Sequence, residues 1–241
     1  MDNNVIQGLW IGDKLSSLER LSLSSFIANG HDYHLYVYSD VKNVPEGVQI
    51  KDGNEILPGA DIFSYNVGPG KGSYSAFSNF FRYKLLYDKG GWWCDTDMIC
   101  LKPFDFANNY VISSELHLGN RHITSGVIKA PKGSLAMKSN WEICDSKDKD
   151  TLPWGEVGPR LMSQCVGRFD LFDYVEQPEV FCPLGFLEWH KVLAPNFDLQ
   201  FSEKTVAVHL WNEMWRRQGI DKDSSFHKDC FYEKLKKELD V

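Results

Sequence analysis

Residues 76–104 read AFSNFFRYKLLYDKGGWWCDTDMICLKPF, and the order of signals inside them decides the fold. The first half is apolar almost all round, through Phe77, Phe80, Phe81, Tyr83, Leu85, Leu86 and Tyr87, which predicts a buried helix. Ser78, Asn79 and Arg82 break the pattern at i, i+3 and i+4 spacing, so their polar groups share one narrow face. A buried guanidinium with no acid one turn away on its own helix needs an anion from elsewhere. Gly90-Gly91 ends the helix, because glycine takes the left-handed conformation without steric cost. Trp92 to Cys94 is bulky and β-prone, and predicts a strand running straight into Asp95-Thr96-Asp97.

On an extended segment alternate side chains share a face, which directs Asp95 and Asp97 the same way at the carboxyl end of that strand. Two convergent carboxylates repel unless a cation or proton lies between them. A hard divalent ion with oxygen ligands, Mn²⁺ or Mg²⁺, fits and keeps positions open for phosphate oxygens. The plainer alternative is a turn with both acids solvated. It leaves the buried polar face upstream unexplained.

The run S-N-x-x-R-Y-x-x-L-Y-x-x-G-G-x-W-x-D-x-D-x-x-x-L-K-P resembles the core motif of the D-x-D sugar transferases. That group comprises α-1,4-glycosyltransferases, mannosyltransferases and the glucosylating clostridial toxins. The resemblance implies an α/β fold of the GT-A (Rossmann-like) type: one domain, with a mostly parallel central sheet flanked by helices. It also implies a UDP-sugar donor, a bound Mn²⁺ or Mg²⁺, and retention of anomeric configuration. Carried over residue by residue, Ser78, Asn79 and Arg82 contact ribose and donor sugar, Trp93 lines the site, and Asp95 and Asp97 hold metal and diphosphate. Two positions depart from the pattern: Asn79 stands where the family usually has Asp, and Trp93 where it usually has Tyr.

The remainder of the chain bounds this reading. At 241 residues and 43% apolar composition it can bury a substantial core. A net charge of −7 offers no cationic surplus for nucleic acid. Six cysteines show no C-x-x-C or metal-finger spacing; most read as reduced, buried thiols, which suits a reducing compartment. The start MDNNVIQG has no basic leader region, and no apolar run is long enough to span a bilayer. The expectation is therefore a cytoplasmic enzyme, or the catalytic domain of a longer chain, monomer or weak dimer, with no membrane span.

Val5–Gly12 reads as a first strand, Ser16-x-x-Glu19 as a capping box opening a helix that stops at Gly30, and HLYVYSD as a second strand ending at Asp40. This is a β-α-β unit, and nucleotides bind outside the carboxyl ends of such strands. Trp10-Ile11-Gly12 lies there and matches the family's W-I-G, which implies a role in holding the uracil; Trp10 as plain core is the alternative. Residues 68–73, GPGKGS, fail as a phosphate loop because Tyr65 and Gly72 stand where that motif needs Gly and Ser or Thr.

Further strands are expected over Tyr110–Ser114 and Ile123–Ala130, the latter placing Thr124-Ser125-Gly126 where relatives keep small polar residues near the donor sugar; ordinary small strand residues are the alternative. Ser134–Cys144 reads as a helix. Gly158-Pro159 resembles the family's G-P before a helix on the acceptor side. Glu156 just before it is a candidate catalytic acid, or an ordinary helix-entry acid. Trp154 and Trp189 are candidate platforms for an acceptor sugar, or core. Thr205–Trp211 alternates as a strand, and V-H-L-W-x-x-x-W resembles the family's C-terminal V-H-x-W. That likeness makes His209 a third metal ligand, or a core histidine, with Trp211, Asn212 and Trp215 closing over the diphosphate and Arg216 or Arg217 adding charge. Phe226–Leu239 reads as a packing helix.

The chain thus divides into a nucleotide-binding half, residues 1–103, and an acceptor half, residues 104–241. The expected function is metal-dependent transfer of a sugar from a UDP-sugar to a glycan or other hydroxyl acceptor, as in polysaccharide biosynthesis, with Asp95, Asp97, Arg82 and Glu156 as catalytic candidates. The rivals are a nucleotidyl- or phosphotransferase using the same acids, and a degenerate module that binds nucleotide sugar without turnover.

Overall fold

The computed structural model describes residues 4–195 and 199–241, so the first three positions of the N-terminal reading lie outside it. β1 (Val5–Leu9), α1 (Ser17–Ala28) and β2 (Asp32–Val37) form the expected parallel unit, with Val5 opposite Asp32 and Leu9 opposite Tyr36. The capping box is present: the Ser16 backbone N–H donates to Glu19 Oε2 at 2.9 Å, satisfying one of the orphan donors at the start of α1. Both strands end about three residues earlier than their apolar pattern suggested, at Leu9 and Val37. β3 (Gln49–Asp52) adds to β2, again in parallel.

α2 (Ser75–Asp88) then crosses the sheet and Gly90 and Gly91, at φ 71° and 89°, turn the chain into β4 (Gly91–Cys94). β4 pairs in parallel with β1, Ile6 opposite Trp92. Strand alternation sends the two tryptophans to opposite faces. Trp93 packs with Phe81 under α2, while Trp92 packs with Phe104 and Phe106 on the α1 side. Each is at most 1% exposed, so this dipeptide joins both layers of the core.

The strand does not continue through Asp97. Asp95 N–H makes the last ladder bond, 2.8 Å to Gly126 O, and the chain turns at Thr96-Asp97, with Met98 N–H donating to Asp95 O at 3.2 Å. β5 (Met98–Cys100) leaves the sheet. β6 (Val111–His117) and β7 (Asn120–Ala130) form a hairpin longer than the sequence pattern indicated, and β7 runs antiparallel to β4. α3 (Leu135–Asp145) and α4 (Leu161–Arg168) cover the α2 face, and α5 (Pro178–Phe181) lies on the other. β8 (Ala207–His209) pairs with β5, Met98 opposite His209, and α6 (Asn212–Gln218) and α7 (Phe231–Leu239) close the chain. The last helix begins five residues later than expected, capped by Cys230.

The sheet order is β3-β2-β1-β4-β7-β6. Three parallel pairings followed by two antiparallel ones make it the mostly parallel, helix-flanked α/β sheet expected. The chain first winds outward from β1 to β3 and then returns to the other side of β1 as β4. That reversal opens a crevice at the carboxyl ends of β1 and β4, where ligands bind in open α/β sheets. Trp10 follows one of these strands and Asp95 the other. Among the described residues no helix is long and apolar enough to cross a membrane.

Candidate active site

A cavity of about 540 Å³ lies over this crevice, within the range of small-molecule sites. On its floor Arg82, only 3% exposed, donates from Nη2 to Asp95 Oδ1 at 2.9 Å. The same guanidinium holds Ser78 Oγ at 3.0 Å and the Ser125 carbonyl, and stands 4.8 Å over the Trp93 ring. The anion missing from α2 is therefore Asp95. Trp93 Nε1 adds a second donor to Asp95 Oδ1 at 3.0 Å, so the indole supplies a polar contact along with its bulk.

Asp97 is oriented from the other end of the chain. Its Oδ2 accepts from the Asn212 backbone N–H at 2.8 Å and contacts His209 Nε2 at 3.1 Å. Trp211 makes this possible: with φ 57° it bends the chain between β8 and α6 so that the first N–H of α6 points at the carboxylate. Its indole also stacks on His209, centroids 3.8 Å apart. A bulky residue in the left-handed region is costly, and such strain concentrates at functional sites.

Burial opposes charge on both carboxyls. At Asp97 the His209 charge and hydrogen bond, with the Asn212 N–H, overcome it and hold the group below its usual range. At Asp95 burial outweighs the Arg82 guanidinium, and with Asp97 adding to the rise its value stays high. Burial alone would lower His209; Asp97 outweighs it, so the imidazole is pushed well up. Asp95, Asp97 and His209 can each aim one ligand atom within 4.8 Å of the others. A Cβ at Gly126 would come within 3.2 Å of Asp95 Oδ2, so glycine there leaves that oxygen accessible. Two carboxylates and an imidazole fit a divalent cation.

Trp10 and Ile11 line the cavity at the β1 end, Ser78, Asn79 and Trp93 near Arg82, and Trp211 and Asn212 opposite. Arg216, Arg217, Trp154 and the Thr124-Ser125-Gly126 stretch also reach it, as do Gly72 and Ser73 of the GPGKGS segment. Four expected residues do not. Gly12 packs beneath the Trp10 ring and does not face the cavity. Trp215 is fully buried, donates Nε1 to Leu210 O at 2.8 Å and packs on Trp189 and Tyr232, because α6 turns 212 and 216 to the cavity and 215 to the core. Trp189 belongs to the same cluster. Glu156 faces away, in a 2.6 Å ion pair with Lys147, because left-handed Gly155 and non-helical Gly158 turn Trp154 and Pro159 inward instead. The cavity also takes in Tyr65, Tyr74, Glu115 and Phe186, which no local motif marked.

Fold and site together define an α/β protein with a ligand crevice at the strand reversal and an acidic pair suited to a cation beside a buried arginine. Residues 17–116 match the family described as glycosyltransferase sugar-binding region containing DXD motif. This stretch, from α1 through the Asp95-Thr96-Asp97 turn to β6, is where the resemblance read from residues 76–104 holds. Mouse (Mus musculus) lactosylceramide 4-alpha-galactosyltransferase is 26% identical over 152 residues, covering 55% of this chain and 39% of that protein. Human (Homo sapiens) alpha-1,4-N-acetylglucosaminyltransferase is 23% identical over 188 residues, covering 68% of this chain and 51% of that one. The chain thus spans about half, or less, of the length of the curated relatives it matches. A solved structure described as a transferase mutant superposes with a TM-score of 0.50 at 13% identity, over 73% of this chain and 92% of that one, a likeness of fold.

Proposed function

We propose that the protein is a metal-dependent, retaining glycosyltransferase that moves a sugar from a UDP-sugar to a hydroxyl of a glycan or similar acceptor. The observation that carries this reading is the convergence of Arg82, Asp95, Asp97 and His209 on one cavity at the strand reversal, with Trp10 lining it at the end of β1. Asp95, Asp97 and His209 would hold the cation, which when bound neutralises charge growing on the departing diphosphate.

The chain's own groups do the rest. Arg82 is fixed by Asp95, Ser78 and Ser125 before any ligand arrives, so its charge stabilises negative charge without reorganising. Trp10 and Ile11 offer apolar surface to the base, and Ser78 and Asn79 offer hydrogen bonds to sugar hydroxyls. Residues 1–103 supply most of this nucleotide half, with Ser125 and His209 reaching it from residues 104–241, which form the acceptor half. Retention implies attack on the face from which the diphosphate departs. All six cysteines are buried and free, which supports a reducing setting such as the cytoplasm.

The test is nucleotide release. With Mn²⁺ and a panel of UDP-sugars the protein should liberate UDP from at least one, and chelation should stop it. Release of UMP or transfer of a phosphate to the product contradicts the reading in favour of a phosphotransferase. NMR of a transfer product should show the donor's anomeric configuration.

A further inference from the structure

The sheet order sets out the cavity from one end to the other. Trp10 stands at the end of β1, Asp95 at the end of β4, and the β6–β7 hairpin extends beyond them at the far edge. Cys94 is opposite Val127 on β7, whereas Glu115 of β6 is opposite His122, five positions further out. Glu115 therefore lines the cavity on the side of the cation cluster away from Trp10.

Its surroundings are unusual for an acid on a hairpin. Glu115 Oε2 is buried and has no hydrogen-bond partner among the described residues. A buried acceptor without a donor is costly, so a hydroxyl reaching Glu115 Oε2 from the cavity would relieve that cost. Phe186 and Trp211 line the cavity with it, their ring centroids 6.2 Å apart. His117, two residues after Glu115, stacks behind Phe186 at 4.8 Å and 26°, which fixes that ring in place. A carboxylate accepts hydrogen bonds from hydroxyl groups, and an aromatic face packs on the C–H surface of a pyranose.

We propose that Glu115, Phe186 and Trp211 form the subsite for the accepting sugar, with Glu115 Oε2 taking hydrogen bonds from ring hydroxyls and Phe186 and Trp211 packing on its apolar surface. This rests on the transferase reading above, and commits the acceptor to a saccharide rather than a protein side chain.

The experiment measures two fluxes from one UDP-sugar with Mn²⁺: hydrolysis to free sugar, and transfer to methyl glycosides of glucose, galactose, mannose and N-acetylglucosamine. Glu115→Gln keeps the side chain's shape and Phe186→Leu keeps its apolar character. In both, the ratio of transfer to hydrolysis should fall by about tenfold or more, with the acceptor KM raised. The ratio is independent of the fraction of protein that is folded. An unchanged ratio in both variants overturns the subsite. Hydrolysis by the unmodified protein without transfer to any methyl glycoside overturns its assignment to a sugar. Absence of UDP release by the unmodified protein overturns the transferase reading itself, and the subsite with it.

Discussion

Arg82 Nη2 lies 2.9 Å from Asp95 Oδ1, joining the interior of the α2 helix to the first acid of the Asp95-Thr96-Asp97 turn. The pair is a structural clamp as well as a site component, because the guanidinium is 4% exposed and the carboxylate 26%. Arg82→Met should leave Asp95 without its cation and lower unfolding free energy by about 3 kcal/mol, toward the low end for a broken buried pair because Asp95 is partly wet. Arg82→Lys should lie between, since an ammonium cannot hold Asp95, Ser78 and the Ser125 carbonyl together. Urea unfolding midpoints of the three proteins check this.

Gly126 backs Asp95 so closely that a methyl group would stand 3.2 Å from Oδ2 and 3.6 Å from His209 Cε1. Gly126→Ala is expected to displace the carboxylate by a few tenths of an ångström without unfolding the sheet. Mn²⁺ affinity, measured calorimetrically, should weaken roughly 10- to 100-fold. A wild-type affinity would mean that Asp95 does not contribute to cation binding.

Asn79 donates from Nδ2 to the Ser75 carbonyl at 2.9 Å, and its Oδ1 accepts from Ser125 Oγ at 3.3 Å. Asn79→Asp restores the residue usual in the resembling family, but a carboxylate cannot donate to Ser75. The variant should lose about 1–2 kcal/mol of stability by denaturant unfolding. Its preference among UDP-sugars should shift, read by UDP release.

Asp223 caps α1 from the far end of the chain, accepting from the Ser17 N–H at 2.7 Å and from Ser17 Oγ at 3.1 Å. Burial opposes its charge, but these hydrogen bonds prevail and hold its value below the usual carboxylate range. A depressed folded-state value means stability that is present above the unfolded-state value, near 3.9, and is lost as pH falls through the folded-state value. Asp223→Ala should therefore cost about 1 kcal/mol at pH 7, and progressively less as pH falls below about 4. Denaturant midpoints at several pH values test both the size and the sign.

Much of this architecture was legible in the sequence because its signals are local. Gly90-Gly91 ends α2, Ser16 and Glu19 cap α1, and Trp92-Trp93 alternates across the sheet as a strand must. The Asp95–Asp97 convergence was expected too, but for another reason. Alternation on a strand does not produce it: a turn does, held by His209 and Asn212 from 112 and 115 positions away. Long-range partners of this kind leave no local pattern. The same holds for Glu156, claimed by Lys147, for Trp215, claimed by the core beneath α6, and for Glu115, whose setting depends on Phe186 and Trp211 from remote segments.

The most direct test is a calorimetric titration of UDP into the unmodified protein and Asp97→Ala, each with Mn²⁺ and with chelator. Mn²⁺-dependent binding to the unmodified protein is expected, weakened by chelation, with no effect of Mn²⁺ on the variant. Equal UDP affinity with and without the cation, or an unchanged Mn²⁺ effect in Asp97→Ala, would contradict it.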